Sequence, residues 1–172
     1  MGSPPLAQLR ALEGDVVLKL TTRGRYGVAA MAELAARQEE AVPIRLRDIA
    51  SSQSLSESYL EQLLLVLRRA GLVRSARGAQ GGYSLAKDAD QITVGDILRV
   101  LEGPIAPVAC LSDNGLSAQA CSRDHYERCG TRAVWARLAR CMGRVLDSVT
   151  LSDLVDNHGK PVPEPCADCD LH

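Results

Sequence analysis

The sequence predicts a mainly α-helical protein with one small β-hairpin, arranged as a winged helix-turn-helix followed by a long dimerisation helix. Apolar residues recur at helical spacing along most of residues 18–156. Two short extended runs, separated by a glycine-rich turn at residues 78–81, interrupt that pattern and predict the hairpin. Aromatic side chains are scarce, with no Phe and one Trp. The core must therefore be built from Leu, Val, Ile and Ala, which suits packed helices.

Three helices are predicted to come first. The first begins after Arg25 and carries Ala30 and Leu34 on its apolar face, and a break at residues 39–43 separates it from a short second helix. Ser56 is a good N-cap for the third helix, because its hydroxyl can accept from an unpaired backbone N–H. Apolar residues of the third helix follow the i, i+3, i+4 spacing, namely Tyr59, Leu60, Leu63, Leu64 and Leu67.

The hairpin and two further helices follow the third helix. Gly71 signals the C-cap of that helix, and the hairpin strands are predicted within residues 72–77 and 82–85. Thr93 and Asp96 form a variant of the capping box, which opens a fourth helix.

A long helix is predicted from about Thr131 to Val149. Its apolar residues recur at intervals of four and three, which approximates a coiled-coil seam: Val134, Leu138, Cys141, Val145 and Val149. Such a stripe needs a partner. The same helix of a second subunit is one candidate, and the helix's own domain is the alternative. We favour the homodimer, because palindromic DNA sites demand two reading heads.

These elements predict four regions along the chain. Residues 1–17 form a disordered extension and residues 18–90 a winged helix-turn-helix DNA-binding domain. Residues 91–156 hold a linker helix, a cysteine-containing loop and the dimerisation helix, and residues 157–172 form a flexible tail.

Charge and composition narrow the classes of function. The net charge is −1, yet residues 18–90 carry 11 Lys and Arg against 8 Asp and Glu, whereas residues 91–172 carry 8 against 11. A basic first half is what a DNA-reading head would show, although the excess is small.

No apolar run is long enough to span a bilayer and no signal peptide is evident, so we expect a cytoplasmic protein without a membrane partner. No P-loop, nucleophile elbow or zinc-protease motif is present, so an enzyme is not expected.

The first turns of the third helix carry the candidate base contacts. A recognition helix places short polar side chains there, where they reach base edges in the major groove. The candidates are Ser58, Tyr59, Glu61 and Gln62. Gln62 could bond adenine with both amide atoms, and Glu61 could accept from cytosine. The alternative for each side chain is a solvated helix face.

Two arginines complete the predicted DNA-binding set. Arg77 lies beside the glycine-rich hairpin tip, from which it could enter a narrow minor groove. Arg25 is a plausible phosphate contact at the start of the first helix. For both, an ordinary solvated surface charge is the alternative.

Three cysteines lie in a polar stretch, residues 104–130, which we call the cysteine segment. Cys110, Cys121 and Cys129 follow a C-x10-C-x7-C spacing. Thiolates are the usual ligands of iron–sulfur clusters, but three thiolates and a His also suit zinc, and uncoordinated thiols can act as redox switches. The spacing alone leaves these alternatives open.

The sequence resembles the Rrf2 family of bacterial transcription regulators over roughly residues 18–156. The resemblance rests on residues 20–27 (LTTRGRYG), 58–63 (SYLEQL), 71–73 (GLV), 77–78 and 81–83 (RG and GGY), Trp135 and 150–154 (TLSDL). It implies a homodimeric winged helix with base contacts from Ser58, Tyr59, Glu61 and Gln62, and a minor-groove contact from Arg77. Family members begin near Leu18, so the resemblance does not explain residues 1–17.

The resemblance also favours an iron–sulfur cluster, either 2Fe–2S or 4Fe–4S, on Cys110, Cys121 and Cys129. Cluster-binding members use a fourth ligand from one of two places. The IscR-like members use a His, and the matching position here is Arg132, whereas the NsrR-like members use an Asp, and the matching position is Arg25. The fourth ligand is therefore left unassigned, with His125 as a candidate from within the loop.

The sequence therefore predicts a DNA-binding transcription regulator that senses cluster status, redox state or nitric oxide. One alternative is a cluster-free regulator of the same fold that responds to a metabolite or a partner protein. A second alternative is an iron–sulfur or zinc redox protein that does not bind DNA, which would lack a steep dependence of DNA affinity on salt.

Overall fold

A computed structural model of the chain describes four stretches of it: residues 21–40, 42–78, 81–111 and 129–156. The predicted extension and tail lie outside the described residues, as do Cys121 and His125. The chain divides into two compact units, one within residues 20–105 and 140–172 and the other within residues 1–19 and 106–139.

The described residues form a mainly helical structure with one two-stranded sheet. Its elements are α1 (Thr22–Ala36), α2 (Leu46–Ser52), α3 (Glu57–Arg69), β1 (Val73–Ala76), β2 (Gly82–Leu85), α4 (Val94–Glu102), α5 (Arg132–Asp147) and α6 (Leu151–Asp156). Three helices and then a hairpin is the predicted winged helix-turn-helix order, and the predicted fold class is confirmed. Among these helices, none combines the length and the apolar content that crossing a membrane requires.

The core of the larger unit lies between α1, α3, α4 and α6. The buried side chains of α3 recur at the predicted spacing, and Leu60, Leu64 and Leu67 are completely covered. Met31 of α1 and Ile97 of α4 are equally inaccessible. Since each such side chain contributes on the order of 2 kcal/mol when buried, this core holds α1, α3 and α4 to one another.

The connections around α3 are closed by local hydrogen bonds. In the turn between α2 and α3, Ser54 adopts a left-handed backbone with φ of 53°. The N–H of Leu55 then donates to the carbonyl of Ala50 over 2.9 Å. After α3, Gly71 has φ of 75°, and the N–H of Leu72 donates back to the carbonyl of Leu67 over 3.0 Å. This is the glycine C-cap that the sequence predicts.

The hairpin, which we call the wing, is an antiparallel pair. Its register matches Val73 with Leu85 and Ala76 with Gly82. Ile44 exchanges two backbone hydrogen bonds of 2.8 Å with Tyr83, so the segment before α2 pairs with the outer edge of β2. The wing is therefore tied to the helical body by backbone bonds as well as by packing.

The predicted start of α1 after Arg25 is wrong by about one turn. The helix begins at Thr22, with Thr21 as its N-cap, whose hydroxyl accepts from the N–H of Arg23 over 3.1 Å. The missing turn contains Gly24, which is buried like Gly27 one turn later. Buried glycines do not contribute to an apolar pattern, because they have no side chain, so apolar periodicity does not reveal this turn.

The later helices begin as predicted and end close to the predicted residues. Thr93 and Asp96 form a complete capping box at the start of α4. The predicted end of α5 at Val149 is two residues too late, since the helix ends at Asp147. There, both oxygens of the Asp147 carboxylate accept from the Arg99 guanidinium over 2.6 and 2.7 Å. This hydrogen-bonded pair raises the pKa of Arg99 above its usual value.

Candidate nucleic-acid interface

Helix α3 has one apolar face and one polar face. Its four buried leucines point into the core, whereas Ser58, Glu61 and Gln62 are exposed and Tyr59 is half-buried. We call these four residues the reading face. Ser56 caps the helix as predicted, accepting from the N–H of Tyr59 over 3.3 Å. The reading face therefore starts at the first turns of a helix whose beginning is fixed.

The wing lies beside the reading face. A shallow groove runs between them and is lined by Ser58, Glu61, Gln62, Leu65, Arg68 and Tyr83. The guanidinium of Arg68 donates to the hydroxyl of Ser75 over 2.9 Å, which joins the end of α3 to β1. The exposed Arg77 follows β1 directly. Helix and wing thus form one surface.

Arg25 is linked to the start of α3 through two aromatic rings. Its guanidinium carbon lies 5.3 Å from the centre of the Tyr26 ring, within the range of a cation–π contact. The Tyr26 ring meets the Tyr59 ring edge-on, with centres 6.2 Å apart and planes at 83°. Tyr26 was not among the residues predicted for this surface. Its position next to Arg25 was the available signal, but only the tertiary contact gives it a role.

The charges of this surface are mixed. Glu57, Glu61 and Arg68 lie on α3, whereas Arg25 lies on α1 and Arg77 follows β1. Within the part of the chain that the structure describes, the ion pairs join Arg37 to Glu33, Arg47 to Asp48 and Arg99 to Asp147. None of them involves the three arginines of the surface, so their charges are available to an anionic partner.

Two of the three predicted thiol ligands lie at the borders of the undescribed part of the cysteine segment. Cys110 is half-buried in a short 3₁₀ turn, Ala109–Leu111. Cys129 is half-buried just before α5, and its sulfur lies 3.3 Å from the hydroxyl of Thr131. No three potential metal ligands come together among the described residues, but Cys121 and His125 of the predicted set lie outside them.

The positions matching the family's two known fourth ligands hold exposed arginines. Arg132 is the first residue of α5, and Arg25 lies in the first turn of α1. A guanidinium has only N–H donors and stays protonated, so neither residue can ligate iron. The fourth ligand stays unassigned.

Comparisons with known proteins agree with this geometry. Residues 20–157 match the Rrf2 family, described as "Iron-dependent Transcriptional regulator". The HTH-type transcriptional regulator CymR of Bacillus subtilis (strain 168) is 48% identical over 137 residues, which cover 80% of this chain and 89% of CymR.

Two solved structures extend the agreement to the fold. That of CymR, described as the global cysteine regulator of B. subtilis, has a TM-score of 0.65 at 47% identity and covers 81% of this chain and 98% of that one. That of T. potens IscR has a TM-score of 0.64 at 45% identity and covers 81% of this chain and 88% of that one. The predicted resemblance and the prediction that the chain is not an enzyme are both confirmed by these relatives. The chain therefore belongs to the Rrf2 family of transcriptional regulators.

Proposed function

We propose that this chain is a cytoplasmic, homodimeric regulator that binds double-stranded DNA through the reading face and the wing. The observation that carries the proposal is their arrangement as one exposed surface, joined by the bond between Arg68 and Ser75. A helix of this width enters the major groove of B-DNA, and a basic hairpin tip beside it reaches the neighbouring minor groove.

Each residue of the surface has a distinct proposed role. Gln62 and Glu61 read base edges, the amide preferring adenine and the carboxylate preferring cytosine. Ser58 and Tyr59 contact bases or phosphates near the start of α3. Arg77 enters the minor groove, and Arg25 neutralises a phosphate beside the Tyr26 and Tyr59 rings.

The dimer is proposed to form through α5. Three large apolar side chains of this helix are exposed in the single chain, with accessible fractions of 61% for Val134, 38% for Trp135 and 41% for Leu138. Of the rest of the predicted seam, Cys141 and Val145 are half-buried, whereas Val149 lies beyond the end of α5 and is buried, so it does not belong to the stripe. A second copy would cover the stripe and present two reading heads to a palindromic site.

The sensing part of the proposal rests on the cysteine segment. Cys110, Cys121 and Cys129 would hold a 2Fe–2S or 4Fe–4S cluster, with His125 as a candidate fourth ligand. Cysteine thiolates are the usual protein ligands of such clusters, and Cys110 and Cys129 are both half-buried. When bound, a cluster would supply sensitivity to oxidants and nitric oxide. The family description and the IscR relative support this assignment.

The DNA-binding proposal is tested with a duplex that the purified protein itself selects from a random library. Fluorescence anisotropy at a series of KCl concentrations gives the affinity and the salt slope. We expect Arg77→Ala to weaken binding about tenfold and to reduce the slope by about 1, and Gln62→Ala to relax preference at one base pair. Lys87→Ala removes an exposed cation after the wing and serves as the control. Equal affinity and slope for Arg77→Ala and wild type would contradict the proposed surface.

The sensing proposal is tested by anaerobic purification, an absorption spectrum, and counts of iron and acid-labile sulfide. Wild type should carry a cluster, and Cys121→Ala should lose it and change DNA affinity. A colourless wild-type protein with regulated DNA binding would favour the cluster-free alternative. The similarity to CymR, which is described as a cysteine regulator, supports that alternative. It would be tested by measuring DNA affinity with and without a metabolite or a protein partner. The DNA-free redox protein finds no support among the relatives, which are transcriptional regulators.

A further inference from the structure

Glu102, the last residue of α4, binds the beginning of α1. Its Oε1 accepts from the hydroxyl of Thr21 over 2.5 Å and from the backbone N–H of Gly24 over 2.6 Å. Thr21 and Gly24 lie 81 and 78 positions before Glu102 in the sequence. No local rule of helix capping links residues so far apart, so this contact could not be predicted from the sequence.

The contact satisfies a physical need of the first turn of α1. The first N–H groups of a helix have no partner within it, and the N-terminal end carries a partial positive charge. Thr21 covers the N–H of Arg23, and Glu102 covers that of Gly24 while adding a full negative charge. The turn that bears Arg25 is therefore held from outside the helix as well as from within it.

Glycines allow the contact. A Cβ at Gly24 would lie 2.7 Å from Glu102 Oε1 and 2.9 Å from Leu98 Cδ2. A Cβ at Gly27 would lie 2.0 Å from Leu101 Cδ1. A Cβ at either position would displace these side chains of α4, so the two glycines permit the close approach that brings the carboxylate to the backbone of α1.

We propose that Glu102 is a positioning residue for DNA binding. It fixes the first turn of α1, and through that turn it fixes Arg25 and the edge-on contact of Tyr26 with Tyr59. This role rests on the proposed function, because it assumes that Arg25 and Tyr59 face DNA. Glu102 itself makes no contact with DNA in this arrangement.

The test compares Glu102→Ala, Glu102→Gln and a control, Glu39→Gln, which removes an exposed carboxylate after α1. Affinity for the selected duplex is measured below the unfolding temperature of every variant. We expect Glu102→Ala to bind about tenfold more weakly. Glu102→Gln, which keeps an acceptor oxygen, should lose less, and Glu39→Gln should match wild type. NMR should show faster hydrogen exchange of the Gly24 amide in both Glu102 variants. If Glu102→Ala does not fold, exchange and affinity in Glu102→Gln decide the question.

A double-mutant cycle separates positioning from a general structural role. If Glu102 acts through Arg25, the losses from Glu102→Gln and Arg25→Ala should be less than additive, whereas independent effects would add. Additive losses, or unchanged affinity and exchange in both Glu102 variants, would overturn the proposal. If the wild-type protein selects no duplex, the proposed DNA binding is wrong and the positioning role is wrong with it. Hydrogen exchange of the Gly24 amide would then show only whether Glu102 protects the first turn of α1.

Discussion

At the scale of single residues, the surface proposed to read DNA depends on residues that lie outside it. Gly24 and Gly27 let α4 approach α1, and Glu102 uses that approach to bind the first turn of α1. Such residues are hard to find from sequence, because a glycine has no side chain to place in an apolar pattern. The motif of residues 20–27 that marks the family is thus partly a packing motif.

Replacing Gly27 by Ala should destabilise the protein by about 1–3 kcal/mol, because the new methyl group would overlap Leu101. Gly143 lies within α5, where a Cβ would meet nothing closer than an Arg99 nitrogen at 3.9 Å. Gly143→Ala should therefore be neutral or stabilising by up to about 1 kcal/mol. Urea unfolding of both variants measures the difference, and equal effects would show that helix propensity, not packing, dominates.

Asp153 should give stability a dependence on acid pH. Its carboxylate accepts from the N–H of Thr150 over 2.8 Å and from the hydroxyl over 2.7 Å, and these bonds lower the pKa of Asp153. A pKa that is lower in the folded state adds stability above the unfolded value of about 3.9, and this stability is lost as the pH falls further.

The unfolding temperatures of wild type and Asp153→Asn should therefore differ most at neutral pH and converge below about pH 4. Asp156→Asn removes an exposed charge from the same helix and is the matched control. A difference in unfolding temperature between wild type and Asp153→Asn that stays constant from neutral to acid pH would contradict this account.

At the scale of elements, sequence predicts what is local. The sequence predicts the helix caps and the position of the hairpin, because these depend on residues within a few positions of one another. The caps are at Ser56, Thr93 and Gly71. The start of α1 does not, because its first turn is held by α4. A tertiary contact of this kind produces no repeating pattern of apolar residues in the sequence, so it cannot be predicted from periodicity.

The N-cap of α3 offers a direct test at this scale. Ser56→Ala should cost about 1 kcal/mol, since the N–H of Tyr59 loses its acceptor, while Ser56→Asp should retain most of the stability. Thermal unfolding followed by circular dichroism compares the two. Equal loss in both variants would mean that packing of the leucines, and not the cap, fixes the start of the helix.

At the scale of the whole molecule, the sequence predicts the class of protein better than its sensor. The stripe of α5 and the exposed reading face could be derived from periodicity, since both follow 3.6-residue spacing. The cysteine site could not be derived in the same way, because the convergence of Cys110, Cys121 and Cys129 depends on loop conformation, and spacing does not determine it.

The proposed dimer makes a prediction about α5. Leu138→Glu should convert the protein to a monomer, because a carboxylate would be buried against a second apolar stripe. Arg140→Glu, an exposed position on a different side of the helix, should leave the dimer intact. Light scattering coupled to size-exclusion chromatography gives the mass, and Trp135 fluorescence reports on the helix. A dimeric Leu138→Glu protein would place the interface elsewhere.

The pairing of Arg99 with Asp147 has a consequence for how movement spreads through the larger unit. Helix α4 is nine residues long. Its Arg99 binds Asp147 at the end of α5, and its Glu102, three residues later, binds the start of α1. In the proposed dimer, a displacement of α5 that reaches Asp147 would therefore pass through the short helix α4 to reach Arg25. The angle between the two α5 helices would in this way affect the distance between the two DNA-reading surfaces.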